Sequence, residues 1–372
     1  MIKHADHFHG SDLELIEQLY NIKKEEILSF SANVNPLGVS SRVKEQLPGM
    51  LDCIESYPDR DYTALRRAIS DYCGAAPESL IVGNGTSELI SLFIKNKKPG
   101  KALIVGPTYS EYEREIALSG GVSHYFPLEE ADDFRLNVSA LKDTLREDIE
   151  LLVICNPNNP TSTAVTREDM RQILDTCKRH GIFVLVDETY IEFADNCEAL
   201  SAIPLIASYN NILILRGISK FFAAPGLRLG YAITGNTDLI ELINSRKNPW
   251  TINSLADAAG RLMFSDRDYI RETRELVKTE RDFMTEALRE IPDLTVFTPT
   301  ANFVLVKINS EGLNADILFE NCIREKMMIR NCATFPFLNN LFFRICFMMR
   351  EDNERLLDCI KRSILSSEAE SL

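Results

Sequence analysis

Lys220 and Arg228 are the two residues whose types and spacing most directly indicate chemistry. Lys220 follows the apolar run 212–215, which predicts a buried strand. A lysine desolvated at the mouth of a strand loses its proton readily, and its amine then becomes a nucleophile. Arg228, eight residues later, supplies a permanent cation that suits a phosphate or a carboxylate. Taken alone, Lys220 is equally well explained as a surface lysine at a strand end. Other motifs are needed to choose between a reactive and a surface lysine.

Asp187 and Tyr190 are two further polar residues at a predicted strand end that could act together with the Lys220 amine. Asp187 ends a second apolar run, 182–186, and Tyr190 follows three residues later. A buried carboxylate needs a cationic partner. Pyridoxal 5'-phosphate needs a lysine amine, a carboxylate against its pyridinium nitrogen and donors for its phosphate. The glycine turn at 83–88, which precedes a predicted helix, exposes N–H groups that suit such a phosphate. The residues therefore favour this cofactor.

The elements that position these residues form an α/β pattern. Predicted strands, mostly separated by helical stretches, lie at 80–82, 102–105, 151–155, 182–186, 212–215 and 230–233. Their apolar runs are continuous rather than alternating, which is typical of a mostly parallel sheet covered on both faces. Polar residues follow the strand ends, where open α/β sheets bind ligands.

Beyond residue 249 the pattern changes to long helices followed by short strands, which predicts a smaller α+β domain. We therefore predict an N-terminal arm at 1–45 that contributes to the small domain and the active site, a large cofactor-binding domain at 46–248, and a C-terminal small domain at 249–372.

Composition narrows the class of protein. The chain has 372 residues and a formal net charge of -14, which argues against nucleic-acid and membrane-surface partners. Nine cysteines without a C-x-x-C pair predict reduced thiols in the cytoplasm. No signal peptide or membrane-spanning stretch is expected. His4, His7 and His9 match no metal-binding spacing, so we predict no metal site.

Three segments together resemble a known family. Asn-Pro-Asn-Asn-Pro-Thr at 156–161, Asp-Glu-Thr-Tyr at 187–190 and the stretch 219–231 resemble the class I/II aminotransferases of fold type I, in the expected order over essentially the whole chain. The resemblance implies the pyridoxal-phosphate-dependent transferase fold of type I, with a mostly parallel large domain and a smaller α+β domain. It also implies pyridoxal 5'-phosphate as the cofactor.

Within that family the chain resembles the threonine-phosphate decarboxylases of cobamide synthesis, which are related to histidinol-phosphate aminotransferases. The matching segments are 9–10, 30–38, 52–59, 249–253, 329–333 and 353–357. The resemblance implies decarboxylation of L-threonine O-3-phosphate or L-serine O-phosphate to an amino-alcohol phosphate. These two substrates differ by one methyl group, and the sequence does not choose between them.

Two alternatives stay open at this point. The same residues serve a histidinol-phosphate-type or other amino-acid aminotransferase, because the orientation of the substrate decides which bond breaks. A non-catalytic pyridoxal-phosphate-binding module is disfavoured, because the chain has neither room for a DNA-binding domain nor a basic patch.

The resemblance also implies a role for each site residue. The catalytic residues are Lys220, which forms the Schiff base, Asp187 on the pyridine nitrogen, and Tyr190, which with Asn159 bonds the phenolic oxygen. The other cofactor-binding residues are Tyr109, stacked on the ring, and Gly85, Thr86, Ser219 and Arg228 at the phosphate. Tyr57 would reach that phosphate from a neighbouring subunit, which implies a homodimer with shared sites. The substrate-binding residues are Arg344 at the carboxylate, Arg330 and His9 at the phosphate, and Asn33 and Asn159 nearby.

Four positions depart from that family pattern. Ser162 and Gly217 stand where relatives usually carry a glycine and a phosphate-binding hydroxyl. Asp12 replaces an amide in the arm, and Met348 replaces a second arginine after Arg344. A lost hydroxyl donor weakens phosphate binding by about 1 kcal/mol, and a carboxylate near a substrate phosphate is unfavourable.

Overall fold

The computed structural model describes residues 12–370. In this range the strands are β1 Leu28–Ser29, β2 Leu80–Gly83, β3 Lys101–Gly106, β4 Val122–Pro127, β5 Leu151–Cys155, β6 Phe183–Asp187, β7 Ile212–Gly217, β8 Gly230–Ile233, β9 Leu294–Val296, β10 Phe303–Ile308, β11 Met327–Met328, β12 Arg330–Asn331 and β13 Phe342–Cys346. The α-helices are α1 Leu13–Tyr20, α2 Ser41–Gln46, α3 Thr63–Cys73, α4 Gly85–Lys97, α5 Glu111–Leu118, α6 Val138–Thr144, α7 Arg167–Arg179, α8 Cys197–Leu200, α9 Thr237–Arg246, α10 Ser254–Phe264, α11 Arg267–Arg289, α12 Ala315–Arg324 and α13 Arg350–Glu370.

A seven-stranded sheet in the order β2-β8-β7-β6-β5-β3-β4 forms the larger layer. Its neighbouring strands run parallel except where β8 lies between β2 and β7. Every residue of β5 and β6 is buried, because hydrophobic residues cover both faces. Val184 and Val186 pack into one core and Leu185 into the other. The predicted α/β fold with a mostly parallel sheet is confirmed.

A second, antiparallel sheet has the order β12-β13-β10-β9. The N-terminal segment joins the C-terminal part of the chain, because β1 pairs with β11 through Leu28 and Met327. The same segment also contacts the loop that follows β7, where the Asn35 N–H donates to the Lys220 carbonyl (3.0 Å). The boundaries at residues 45 and 248 stay a prediction.

Polar side chains cap two of these helices at their N-termini. The Thr166 hydroxyl accepts from the Asp169 N–H (3.1 Å) at the start of α7. The Asn253 side chain caps α10 by accepting from the Ala256 N–H (2.8 Å). Edge strand β4 was not predicted, since its residues are exposed or half-buried and form no apolar run. Within residues 12–370, no helix is long and apolar enough to cross a membrane.

Candidate active site

The ends of β2, β3, β5, β6 and β7 lie along one edge of the larger sheet, and residues that follow them line a cavity of about 490 Å³. The second sheet contributes two arginines to the same cavity. The predicted site residues among its lining are Thr86, Tyr109, Asn159, Asp187, Tyr190, Ser219, Lys220, Arg228, Arg330 and Arg344. Residues separated by more than 250 positions in the sequence therefore share one cavity.

Lys220 lies just beyond the end of β7 and faces this cavity. Its Nζ donates a hydrogen bond to the Ala32 carbonyl (2.7 Å). Burial lowers the pKa of Lys220 to about 8, and the positive charges of Arg344 and Arg228 contribute to the decrease. A lysine with this pKa carries a far larger fraction of neutral, nucleophilic amine near neutral pH than an exposed lysine does.

Asp187 is the last residue of β6, and its carboxylate is held by neutral donors. The Tyr112 hydroxyl donates to Oδ2 (2.7 Å), and the Thr189 N–H and hydroxyl donate to Oδ1 (2.9 and 2.5 Å). Burial raises the pKa of Asp187, because none of these partners supplies a positive charge. A cationic N–H placed in the cavity would supply the charge that this carboxylate lacks.

The strand ends that carry Asp187 and Lys220 are fixed by a buried ion pair. Arg216 in β7 donates from Nη2 and Nε to Glu188 Oε2, at 2.7 and 3.0 Å. Arg216 Nη2 also donates to the Ser201 hydroxyl (2.8 Å). Breaking such a pair leaves a buried charge without a partner. The pair therefore holds the ends of β6 and β7 in a fixed arrangement.

The start of α4 and Arg228 form a compact cradle for an anion. Gly85 has φ +79°, and a Cβ added there would lie 2.3 Å from Arg228 Nη2. Only glycine therefore lets the guanidinium approach this helix N-terminus. A Cβ at Gly217 would lie 3.2 Å from the Thr86 methyl and 3.3 Å from the Leu229 carbonyl oxygen, so a side chain at this position would be tightly packed.

Two tyrosines flank the lysine and the carboxylate. Tyr190 is buried and packs edge-on against Phe303 in β10, with ring centroids 4.9 Å apart. Tyr109 follows β3 and packs edge-on against Tyr112, with ring centroids 5.6 Å apart. These contacts fix both rings at the cavity wall.

Arg344 joins the two sheets at the cavity. Its Nη2 donates to the Ser31 carbonyl (2.6 Å), and its Nη1 donates to Asn159 Oδ1. Its guanidinium lies over the Phe303 ring at 5.3 Å. Its Nε is buried and has no hydrogen-bond partner among the described residues. The planar guanidinium is thus held in place at the cavity, where its fork geometry suits a carboxylate.

Arg330 lies directly across from Arg344 in the β12–β13 pair. Its Nη2 donates to the Thr334 hydroxyl (3.0 Å), and its guanidinium lies 5.4 Å from the centre of the Phe335 ring. Burial and the charge of Arg344 lower the pKa of Arg330 to about 10, and the carboxylate of Asp12 acts in the opposite direction. Asp12 therefore acts electrostatically on the arginine that was predicted to bind the substrate phosphate.

Three predicted site residues within the described range, Gly85, Asn33 and Tyr57, do not line this cavity. Gly85 immediately precedes the lining residue Thr86. Asn33 is buried, and its carbonyl accepts from Asn302 Nδ2 (3.0 Å). Tyr57 is 77% exposed and packs against Trp250, with ring centroids 4.5 Å apart. His9 lies outside the described residues.

Other lining residues were missed. Tyr112, Thr189, Thr334 and Phe335 all face the cavity. Thr189 lies within the 187–190 motif, so its contact with Asp187 could have been suspected from an Asx turn. Tyr112 lies in α5, and nothing in the local sequence indicates that its hydroxyl reaches Asp187.

Two departures from the family pattern have a structural explanation. Ser162 has φ +61°, a left-handed conformation that suits glycine. Its hydroxyl accepts from the N–H groups of Thr300 (3.1 Å) and Ala301 (2.9 Å). Met348 packs its sulfur 3.8 Å from Cys346 Sγ and supplies no charge to the site.

Residues 25–360 match the model of the "Aminotransferase class I and II" family. The chain belongs to this family. It is 33% identical over 353 residues to a threonine-phosphate decarboxylase of Salmonella typhimurium, which covers 95% of both chains. It is 30% identical over 356 residues to a histidinol-phosphate aminotransferase of Methanothermobacter thermautotrophicus, covering 94% of this chain and 92% of the relative. The crystal structure of the histidinol-phosphate aminotransferase of Clostridium acetobutylicum superposes with a TM-score of 0.84 at 30% identity, over 91% of this chain and 99% of the other.

This aminotransferase-family protein is a pyridoxal-phosphate-dependent enzyme, and its cavity fits the cofactor. The cavity combines a half-buried lysine of lowered pKa, a buried carboxylate with no cationic partner among residues 12–370, and a glycine that admits Arg228 to a helix N-terminus. These are the groups that the cofactor's aldehyde, pyridine nitrogen and phosphate require. The role of each individual residue stays a prediction.

The lowered pKa of Lys220 predicts a pH dependence for covalent capture of the cofactor. Capture requires the neutral amine, so its rate in the cofactor-free enzyme should rise with pH with a midpoint near 8. Stopped-flow absorbance measures that rate. Nα-acetyl-lysine, whose amine is exposed, corrects for titration of the cofactor itself and should show a midpoint roughly two units higher. A midpoint above 10 for the enzyme would contradict the burial-driven shift.

Proposed function

We propose that the enzyme decarboxylates a phosphorylated β-hydroxy amino acid, L-threonine O-3-phosphate or L-serine O-phosphate. The observation that carries the proposal is the pair Arg330 and Arg344, which are 8% and 5% exposed and directly opposite each other on neighbouring strands. Like charges in such a pair repel. A ligand with two anionic groups relieves that repulsion, and the proposed substrates carry a carboxylate and a phosphate.

The two arginines differ in ways that suit two different anions. Arg344 is tied to Asn159 and Ser31 close to Lys220, which favours it for the carboxylate next to the reacting carbon. Arg330 lies one strand further from β10 and is backed by Thr334 and Phe335, which favours it for the distal phosphate. Bidentate binding by arginine suits both groups.

The cofactor, when bound, supplies an electron sink for the bond that breaks at the α-carbon of the substrate. The chain decides which bond that is. If Arg344 and Arg330 hold the carboxylate in the reactive orientation, carbon dioxide leaves; if they hold the α-hydrogen there, a proton leaves instead. Lys220 can return a proton to the α-carbon, because a pKa near 8 makes both of its protonation states accessible near neutral pH.

A histidinol-phosphate-type aminotransferase is the second candidate, and the 30% identity to such an enzyme favours it. Histidinol phosphate carries a phosphate but no carboxylate, so it offers no α-carboxylate for Arg344 to bind. An aminotransferase must also accept an amino-group partner such as glutamate, however, whose two carboxylates suit the same pair. The arginines therefore support both candidates, although more directly the first.

A substrate panel separates the candidates. Purified holoenzyme is incubated with threonine phosphate, serine phosphate or histidinol phosphate, each with and without 2-oxoglutarate. Carbon dioxide release and 2-oxoglutarate consumption are measured separately. The proposal expects carbon dioxide from threonine phosphate or serine phosphate without any need for 2-oxoglutarate. Consumption of 2-oxoglutarate with no release of carbon dioxide would contradict the decarboxylase proposal and support the aminotransferase.

We also propose that the enzyme is a homodimer whose two active sites are shared. Tyr57, the predicted phosphate ligand, is exposed and does not line the cavity of its own chain. Leu51, Ile54 and Trp250 are also exposed, and Trp250 packs on Tyr57. Exposed apolar residues grouped in this way are typical of protein–protein contacts. A second copy would cover them and bring its cavity to Tyr57.

Mixing two defective variants tests this arrangement. If Tyr57 serves the partner's site, a heterodimer of Tyr57→Ala and Lys220→Ala contains one complete site. After dissociation and random reassembly, the mixture should regain about a quarter of wild-type activity at limiting cofactor, as half of the dimers carry one working site of two. Activity equal to the mean of the two parent variants would mean that each site is built from one chain.

A further inference from the structure

Ser162 is a buried residue in a conformation that favours glycine, and its side chain has two partners from a distant segment. It is 0% exposed and has φ +61°. Its hydroxyl accepts from the Thr300 and Ala301 N–H groups, at 3.1 and 2.9 Å, and its carbonyl also accepts from the Thr300 N–H (2.9 Å). A Cβ is unfavourable at positive φ, so the hydroxyl bonds are what serine gains there over glycine.

These bonds connect the two halves of the active site. Ser162 lies three residues after Asn159, in the loop that follows β5 of the larger sheet. Thr300 and Ala301 precede β10, which pairs with β13, the strand that carries Arg344. The hydroxyl bonds therefore join the loop of Asn159 to the sheet of Arg344.

A second contact between the same two segments lies inside the cavity, where Arg344 Nη1 donates to Asn159 Oδ1. Both of these groups face the cavity, so a bound substrate or cofactor competes for them. The Ser162 bonds lie away from the cavity lining, so a bound ligand does not compete for them directly.

We propose that Ser162 is a positioning residue: its hydroxyl holds the Asn159 loop against the sheet of Arg344, so that the carboxylate subsite is formed before substrate binds. The inference holds for decarboxylation and for transamination alike, because either reaction needs Arg344 placed against the cofactor side of the cavity. A subsite formed in advance spares the substrate the cost of ordering it.

The segment 300–301 is also held by hydrogen bonds from Arg281. Removing the Ser162 hydroxyl should therefore change the position of this segment without unfolding the protein. Arg281 Nη1 donates to the carbonyls of Thr300 (3.0 Å) and Ala301 (3.5 Å) and to that of Phe193 (3.1 Å). Without the Ser162 hydroxyl, these bonds still hold the segment on α11. The expected consequence is a change in its placement relative to the Asn159 loop.

Two substitutions separate the hydroxyl from the backbone conformation. Ser162→Ala removes the hydroxyl and keeps the unfavourable φ, whereas Ser162→Gly removes both. Thr300→Ala is the matched control, because the bond uses the main-chain N–H of Thr300, which alanine retains. Holoenzyme is used, with threonine phosphate and glutamate as probes, since both carry an α-carboxylate.

We expect both Ser162 variants to raise the KM, or the dissociation constant where a probe is not turned over, by about tenfold, with kcat changed less than about threefold. The cofactor absorbance should be unchanged, and hydrogen exchange of the Ala301 amide, which loses its acceptor, should become faster, whereas the Thr300 amide keeps its bond to the Ser162 carbonyl. Thr300→Ala should behave as wild type. The proposal is overturned if Ser162→Gly binds both probes as wild type does, or if kcat and the cofactor absorbance fall together with the affinity. Should Ser162→Ala fail to fold, Ser162→Gly gives the decisive comparison.

Discussion

We expect Lys220→Ala to lower turnover by at least about 10³-fold and to abolish the visible absorbance of covalently bound cofactor. Lys220 supplies a half-buried amine of lowered pKa in the cavity, which Asp187 at the end of β6 and the cation of Arg228 also line. Alanine removes the group proposed as both the nucleophile and the carrier of the proton. Absorbance of the purified variant and its turnover of the best substrate measure the two effects.

Lys247→Ala is a matched control for this substitution. Burial lowers the pKa of Lys247 as well, and its Nζ also donates to a main-chain carbonyl, that of Val82 (3.0 Å). It does not line the cavity. Lys247→Ala should therefore keep the cofactor absorbance. Retention of covalently bound cofactor by Lys220→Ala would refute the assignment of Lys220 as the reactive lysine.

The second large effect is expected for Arg344→Lys. The guanidinium of Arg344 binds Asn159 and Ser31 through separate nitrogens, and an ammonium cannot reproduce this fork. Loss of one charge-assisted bond of about 3 kcal/mol corresponds to a decrease in kcat/KM of roughly 10²-fold. Steady-state kinetics with threonine phosphate measure it, and Arg344→Ala should be at least as severe.

Arg350→Lys controls for a general effect of replacing arginine in this part of the chain. Arg350 pairs with Glu280 (3.0 Å), is partly exposed and does not line the cavity. Its replacement should change kcat/KM less than about twofold, because lysine keeps the positive charge opposite Glu280 and the pair lies outside the cavity. An equal decrease for Arg350→Lys and Arg344→Lys would remove the argument for a carboxylate subsite at Arg344.

The larger sheet was predictable because each of its central strands can be recognised from its own residues as a continuous apolar run. The runs 182–186 and 212–215 are continuously apolar, and the structure buries them on both faces. Asp187 lies at the end of one of these strands and Lys220 just beyond the end of the other. The rule that open α/β sheets bind ligands at their strand ends was therefore enough to predict that both residues share a site. Edge strand β4 lacked such a run and was missed.

The register of the second sheet could not be predicted in this way. Arg330 and Arg344 were assigned to substrate binding by resemblance, but their position directly opposite each other depends on the pairing of β12 with β13. The contact of Tyr112 with Asp187 depends on how α5 packs against the sheet, which no local pattern encodes. Ser162 appeared in the sequence only as a missing glycine, and its hydroxyl bonds to Thr300 and Ala301 became visible only in the structure.

The proposed function requires this pyridoxal-phosphate enzyme to remove carbon dioxide from an amino acid that carries a phosphate. Threonine phosphate labelled with ¹³C at the carboxyl carbon tests this requirement, with holoenzyme and without any keto acid. We expect labelled carbon dioxide over many turnovers and an equal amount of 1-amino-2-propanol phosphate. Label retained in the amino acid, together with turnover that begins only when 2-oxoglutarate is added, would contradict it.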